Sequence, residues 1–194
     1  QMGETRGIFS QWYQPLDMQD YFFVAPSVKY ERALRDVFEG DRRVAEYETK
    51  YFGGGIGVGI NFSSLAQARL DYFRATVDAG PEVGGSNLPE YHGIQQGALN
   101  ARLEYDQLDS HKFPKRGIDA FVNFFASNDG LGADFSYEKG ELGFTKATTF
   151  AYRHTLLTAL RFGITLNQDA PFYDEFTLGG FLNLSGYGKQ QLHG

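Results

Sequence analysis

Between Leu99 and Asp106 the chain alternates without a break. Leu99, Ala101, Leu103 and Tyr105 fall on one face of an extended strand, and Asn100, Arg102, Glu104 and Asp106 fall on the other. A chain with this period recurring along its length must build sheet with one apolar and one polar face. The pattern does recur. Val24, Val28 and Tyr30 oppose Ser27, Lys29 and Glu31; Ala66, Ala68, Leu70 and Tyr72 oppose Gln67, Arg69 and Asp71. Ala133, Phe135 and Tyr137 oppose Asp134, Ser136 and Glu138, which predicts a strand there. Ile118, Ala120, Val122 and Phe124 oppose Asp119 and Asn123, with Phe121 interrupting the polar side. Leu156, Leu160, Phe162, Ile164 and Leu166 share one further face. Charge on the polar face of one strand is ordinary; charge on nearly every strand is not.

Two stretches change phase midway. Ala45, Tyr47 and Tyr51 are odd-numbered, whereas Ile56, Val58, Ile60 and Phe62 are even, with Gly53, Gly54 and Gly55 between them. Glycine inside a strand often marks a bulge, and a bulge shifts register, so one long bulged strand is expected here and another around Tyr72 and Phe73. Glu31–Glu39 fits a short helical stretch or strand and loop equally well. Connectors alternate between short (Asp17–Asp20, Ser63–Leu65, Arg153–Thr155) and longer or glycine-rich (Phe38–Arg43, Gly80–Glu90, Asn128–Gly132, Asn167–Gly180), with Ser110–Arg116 intermediate. The sum is an all-β antiparallel up-and-down meander of roughly eight long strands.

Composition narrows the function. Aromatic residues make up 16% of the 194 positions, with 24 glycines, which suits strands and their punctuation. A net charge of −6 argues against a nucleic-acid partner, which needs a basic face. The chain has no cysteine, so disulfide, zinc-thiolate and thiol chemistry are excluded. A soluble ligand-binding barrel would turn the apolar faces inward, and a membrane barrel would turn them outward. Strands running past ten residues, polar faces mixing acid, base and amide, and aromatics near strand ends favour the membrane. Those aromatics are Trp12–Tyr13, Tyr21–Phe23, Tyr51–Phe52, Phe124–Phe125 and Tyr152.

No catalytic constellation emerges. There is no G-x-S-x-G elbow. His92, His111, His154 and His193 are isolated, without metal-ligand spacing. The GGGIGVG run is followed by strand alternation rather than a helix, so it fails as a dinucleotide loop. Catalytic residues, metal and cofactor are therefore all expected to be absent from this stretch.

Two segments carry a resemblance. In FTLGGFLNLSGYGKQQLHG, Phe176, Gly179 and Gly180 precede the tetrapeptide Leu184, Ser185, Gly186 and Tyr187. In YDQLDSHKFPKRG, the positions are Asp106, Leu108, Asp109, Phe113, Pro114 and Gly117. Together they resemble the bacterial surface-antigen family of outer-membrane barrels, which includes BamA-type assembly factors. The first resembles that family's lumen loop and the second its inter-strand turn. The family's tetrapeptide carries an arginine where this chain has Ser185. LGGFLNLSGY, WYQPLD, FFVAPSVKYE and AEY are most similar to the barrel of patatin-like outer-membrane proteins, where a lipase and a linker domain precede the barrel. The resemblance implies a transmembrane barrel of about sixteen strands in the bacterial outer membrane. Residues 1–194 would be its middle portion, with flanking strands and N-terminal domains elsewhere. It implies outer-membrane lipid and attached lipase and linker domains as partners, and leaves a homo-oligomer open. The function implied is anchoring an attached lipase domain, with translocation or display of it. An assembly or secretion pore without lipase is the alternative within the family.

Overall fold

The computed structural model describes residues 5–39, 42–83, 90–151, 153–166, 177–178 and 192–193. Long antiparallel strands follow one another in chain order. They are β1 (Thr5–Gln11), β2 (Gln14–Pro15), β3 (Phe22–Glu39), β4 (Arg42–Ser63), β5 (Ala66–Val83), β6 (Tyr91–Asp106), β7 (Arg116–Ser127), β8 (Tyr137–Phe150) and β9 (His154–Leu166). They form one sheet in the order β1-β3-β4-β5-β6-β7-β8-β9. β2 continues β1 along the same neighbour, and the backbone N–H of Trp12 donates to the Pro26 carbonyl between them. A separate short pair joins β10 (Thr177–Leu178) to β11 (Leu192–His193). The segment that fits helix or strand is strand, the end of β3.

The apolar faces point outward. Leu103, Val122 and Leu160 are 53%, 56% and 65% exposed, while Phe23, Ala98 and Tyr137 on the opposite, concave face are buried. A soluble ligand-binding barrel needs the reverse arrangement, so that reading is overturned.

The outward belt has a plane edge. The first charged residue above it is Arg32 on β3, Lys50 on β4, Arg74 on β5 and Glu138 on β8. The ladder from Glu138 runs through Ala126, Leu99, Tyr72 and Ile56 to Pro26. Pro26 lies six positions below Arg32. That stagger is about one residue per strand, which at about 3.3 Å rise and 4.8 Å strand spacing gives a tilt of about 40°. On β4 the belt runs from Phe52 to Phe62. It is about 33 Å along the strand and about 25 Å high once tilted, the height of an outer-membrane barrel's apolar band. Aromatics mark both rims: Trp12, Tyr21, Phe22 and Phe62 at one, Tyr30, Phe52 and Tyr72 at the other. Of the expected girdle, Tyr13, Phe23, Tyr51 and Phe125 instead turn inward, and Tyr152 lies outside the described residues.

The expected bulges at the phase switches are absent. Pairing runs unbroken from Tyr51↔Val77 through Gly55↔Phe73 to Ile60↔Ala68, and register shifts fall elsewhere, at Glu46/Tyr47 and Asn61/Ser63. The phase changes because the outer solvent changes. From Phe52 to Phe62 the even positions face lipid and are apolar. From Glu46 to Lys50 the same face has left the belt and is charged, so the apolar residues Tyr47 and Tyr51 are the inward ones. The strand expected at Ala133–Tyr137 also differs: pairing starts only at Tyr137. Residues 128–136 fold back onto β6, where the Asp134 carboxylate accepts from Gln95 N at 2.7 Å and Asp134 N donates to the Gln95 carbonyl at 2.9 Å. Those bonds satisfy backbone groups that a continued strand would have paired.

Candidate functional site: the concave wall and one turn

The concave face is polar, aromatic and glycine-lined. Four of its carboxylates are neutralised where they stand. Lys29 pairs with Glu31 at 2.8 Å, Arg69 with Asp71 at 2.6 Å and Arg102 with Glu104 at 2.8 Å. Each of these pairs is two residues apart on one strand, so both side chains lean along the same face. Arg161 on β9 reaches Glu141 on β8 at 2.5 Å. Rings cover the cations. Lys29 lies 5.1 Å from the Tyr51 ring, Lys139 lies 4.9 Å from Phe125, and Arg102 and Arg161 lie 4.6 Å and 5.9 Å from Phe121. Partly exposed pairs of this kind contribute about 0–1 kcal/mol each, so they set the wall's chemistry more than its stability.

Phe121, which breaks the sequence alternation, is explained here. It stands directly across from Gly143, and a Cβ on Gly143 would overlap its ring. The ring fills the space above the glycine and carries two guanidinium groups. Phe23 and Gly59 repeat the arrangement between β3 and β4. Along β4, a Cβ at Gly55 would lie 2.6 Å from the Tyr72 carbonyl oxygen and 2.8 Å from Phe73 Cβ. The inward glycines let the sheet curl tightly. They leave a groove of about 290 Å³ lined by Phe9, Tyr51, Arg69, Asp71, Phe73 and Phe125.

Asp106, Leu108, Asp109, Phe113, Pro114 and Gly117 occupy the connection between β6 and β7 and its flanks. Asp106 Oδ1 accepts from Leu108 N at 2.9 Å. Asp109 Oδ1 accepts from Lys115 N at 2.8 Å and Arg116 N at 3.1 Å. Gln107 N donates to the Ile118 carbonyl and Asp109 N to the Arg116 carbonyl, closing the base of the turn. Gly117 has φ +112°, and a Cβ there would overlap the Gln107 carbonyl, so glycine is required on both counts. Phe113 stands 82% exposed beyond the turn. The backbone N–H groups of Lys115 and then Arg116 hold the Asp109 carboxyl below its usual range. Asp17 does the same work in the β2–β3 turn, its carboxyl lowered chiefly by the N–H of Phe22, at 2.7 Å.

The loop residues Phe176, Gly179, Gly180, Leu184, Ser185, Gly186 and Tyr187 lie outside the described residues. Among the described residues no group of three or more His, Asp or Glu side chains is placed to hold a metal. The rings over cations were missed in sequence reading. The inward parity of Phe121 and Phe125, shared with charged neighbours, was the available signal.

The Omp85 superfamily domain matches residues 10–194. Among solved structures, the chain is similar to BamA from Haemophilus ducreyi lacking POTRA domains 1–3. The TM-score is 0.76 at 16% identity, over 97% of this chain and 38% of that one. No curated protein sequence matches it at a comparable level. The inside-out sheet, its 25 Å belt on strands tilted about 40° and the match over nearly the whole length agree: the chain belongs to the Omp85 superfamily and is a β-barrel protein of the bacterial outer membrane.

Proposed function

We propose that this chain is the middle portion of a C-terminal barrel domain that anchors an attached patatin-like lipase domain and passes or displays it at the outer membrane. The observation that carries the reading is the pairing of four wall carboxylates with cations of the wall itself. Glu31, Asp71, Glu104 and Glu141 each have a cation of the wall itself as partner. None of these four carboxylates calls for an arginine from a lumen loop, and the loop tetrapeptide carries Ser185 in that place. A wall wetted by charges of both signs, with these four carboxylates already paired, suits contact with passing polypeptide better than retention of a small ligand. The sequence resemblance of WYQPLD, FFVAPSVKYE and LGGFLNLSGY supports the lipase attachment.

An assembly or secretion pore without lipase is the second reading, favoured by the likeness to the BamA barrel. A fluorophosphonate probe for reactive serines, applied to native outer membranes, separates them. Labelling of a band much larger than 21.8 kDa that carries this sequence is expected. An unlabelled band of the full polypeptide overturns the lipase anchor in favour of the pore.

A further inference from the structure

Three neighbouring strands repeat one pattern on their convex face. An aromatic residue closes the apolar belt and a cation holds the next outward position: Tyr30 then Arg32 on β3, Phe52 then Lys50 on β4, Tyr72 then Arg74 on β5. All six side chains are exposed. Arg32 and Lys50 are direct cross-strand partners. Like charges so placed repel unless something neutralises them. Glu48 does this in part, pairing with Arg32 and, at 3.0 Å, with Lys50. Asp78, opposite Lys50 on β5, accepts from Gly93 N at 2.7 Å. Arg74 has no carboxylate partner among the described residues, and its guanidinium lies beside Gly132 of the β7–β8 connection. Arg32 and Lys50 thus share the Glu48 carboxylate, with Glu46 farther along the same face, and Arg74 stands at the belt's edge with no carboxylate in ion-pair distance among the described residues.

Height decides what that charge faces. At the other end β4–β5 and β8–β9 close just past the belt, at Ser63/Ala66 and Phe150/His154, whereas at this rim β3 and β4 run on past Arg32 and Lys50 to Glu39 and Arg42. The end from which strands project is the outer-leaflet side. The rim aromatics sit at headgroup level. One outward position farther along a tilted strand is about 5 Å higher, at the depth of lipid phosphates. Guanidinium groups match phosphate oxygens two at a time, and the belt directly below offers Val28 and Ile56 to acyl chains. We propose that Arg32, Lys50 and Arg74 bind the phosphates of an outer-leaflet lipid of the lipid A class, its acyl chains lying on the belt beneath.

The test uses the full polypeptide extracted in mild detergent from native outer membranes, with lipid A retained on the folded barrel measured by native mass spectrometry. The triple variant R32Q/K50Q/R74Q is expected to retain at least tenfold less than the parent protein. K146Q, which removes an outward cation from β8 nearer the opposite rim, is expected to retain as much as the parent. Added inorganic phosphate should not displace the lipid, because the belt holds its chains. Equal retention by the triple variant, an equal loss in K146Q, or displacement by inorganic phosphate alone would each overturn the proposal. If the triple variant fails to assemble, R32Q and R74Q are read singly against the same outcomes.

Discussion

Replacing Val58 by arginine tests the orientation of the whole sheet. Val58 points outward on β4 and is 49% exposed. It lies six positions from Phe52 and four from Phe62, the two ends of the belt on this strand. At a tilt of about 40° these are vertical distances of about 15 Å and 10 Å, so Val58 stands within about 3 Å of mid-bilayer. A cation on the lipid face at that depth costs about 2–4 kcal/mol, a shift of roughly 30- to 1000-fold in the folding equilibrium. Phe52→Arg places the same charge on the same strand at the rim, where the cost is about 0–1 kcal/mol. Both variants are folded into lipid vesicles and titrated with urea, with the folded fraction read from heat-modifiable gel migration. Val58→Arg should be the less stable by at least about 1 kcal/mol, the narrowest gap between those ranges. Equal stability of the two, or a larger loss at Phe52, would refute the placement of the membrane on this strand.

Two further predictions concern the concave wall and the turn. Gly143→Val should destabilise by about 1–3 kcal/mol through overlap with Phe121, although valine is ordinarily the better strand residue. The same substitution on a Phe121→Ala background should be nearly neutral, and an unchanged penalty in that double-mutant cycle would show that the ring is not the cause. For Asp109, the folded carboxyl sits below its unfolded range, so its stabilising contribution is complete above the ordinary carboxylate range and lost as pH falls through the depressed value. Asp109→Asn should flatten that acid limb in urea titrations run at a series of pH values. An acid limb identical to the parent's would mean that the N–H groups of Lys115 and Arg116 do not set the titration.

The period-two pattern made the strands legible because each strand separates two solvents, and parity records that separation. It did not say which solvent lies outside. That came from curvature, which no single strand encodes. The pattern also misled where the outer solvent changes along one strand. Glu48 and Lys50 share a face with Ile56 and Val58, and only their height relative to the belt accounts for the difference. The same limitation produced the expected strand at Ala133–Tyr137. Asp134 alternates correctly with its neighbours, but its carboxylate and N–H are committed to Gln95. In the turn, the residue types of Asp106, Asp109 and Gly117 were visible in sequence. That Asp109 accepts two N–H groups from residues six and seven positions on was not, because the distance closes only when β6 and β7 pair. The aromatic-then-cation spacing on β3, β4 and β5 was present in sequence, but it gains meaning only when the three strands become neighbours.

The edges of the sheet carry a final consequence. β9 pairs with β8 along His154–Leu166, and among the described residues nothing pairs with its other side. In an antiparallel ladder about half of a strand's N–H and C=O groups point to each side, so about six of each face outward from β9. In hydrocarbon each unpaired group costs several kcal/mol, which for a whole strand exceeds the 5–15 kcal/mol net stability of a typical domain. A membrane-embedded β9 must therefore be paired by another strand, as the proposed larger barrel provides. Hydrogen exchange on the full polypeptide in bilayers measures this directly. Amides of β9 that point away from β8 should exchange as slowly as those of β5, which has partners on both sides. Rapid exchange confined to that outward-pointing half would show that β9 is a true edge, and with it that the sheet does not close.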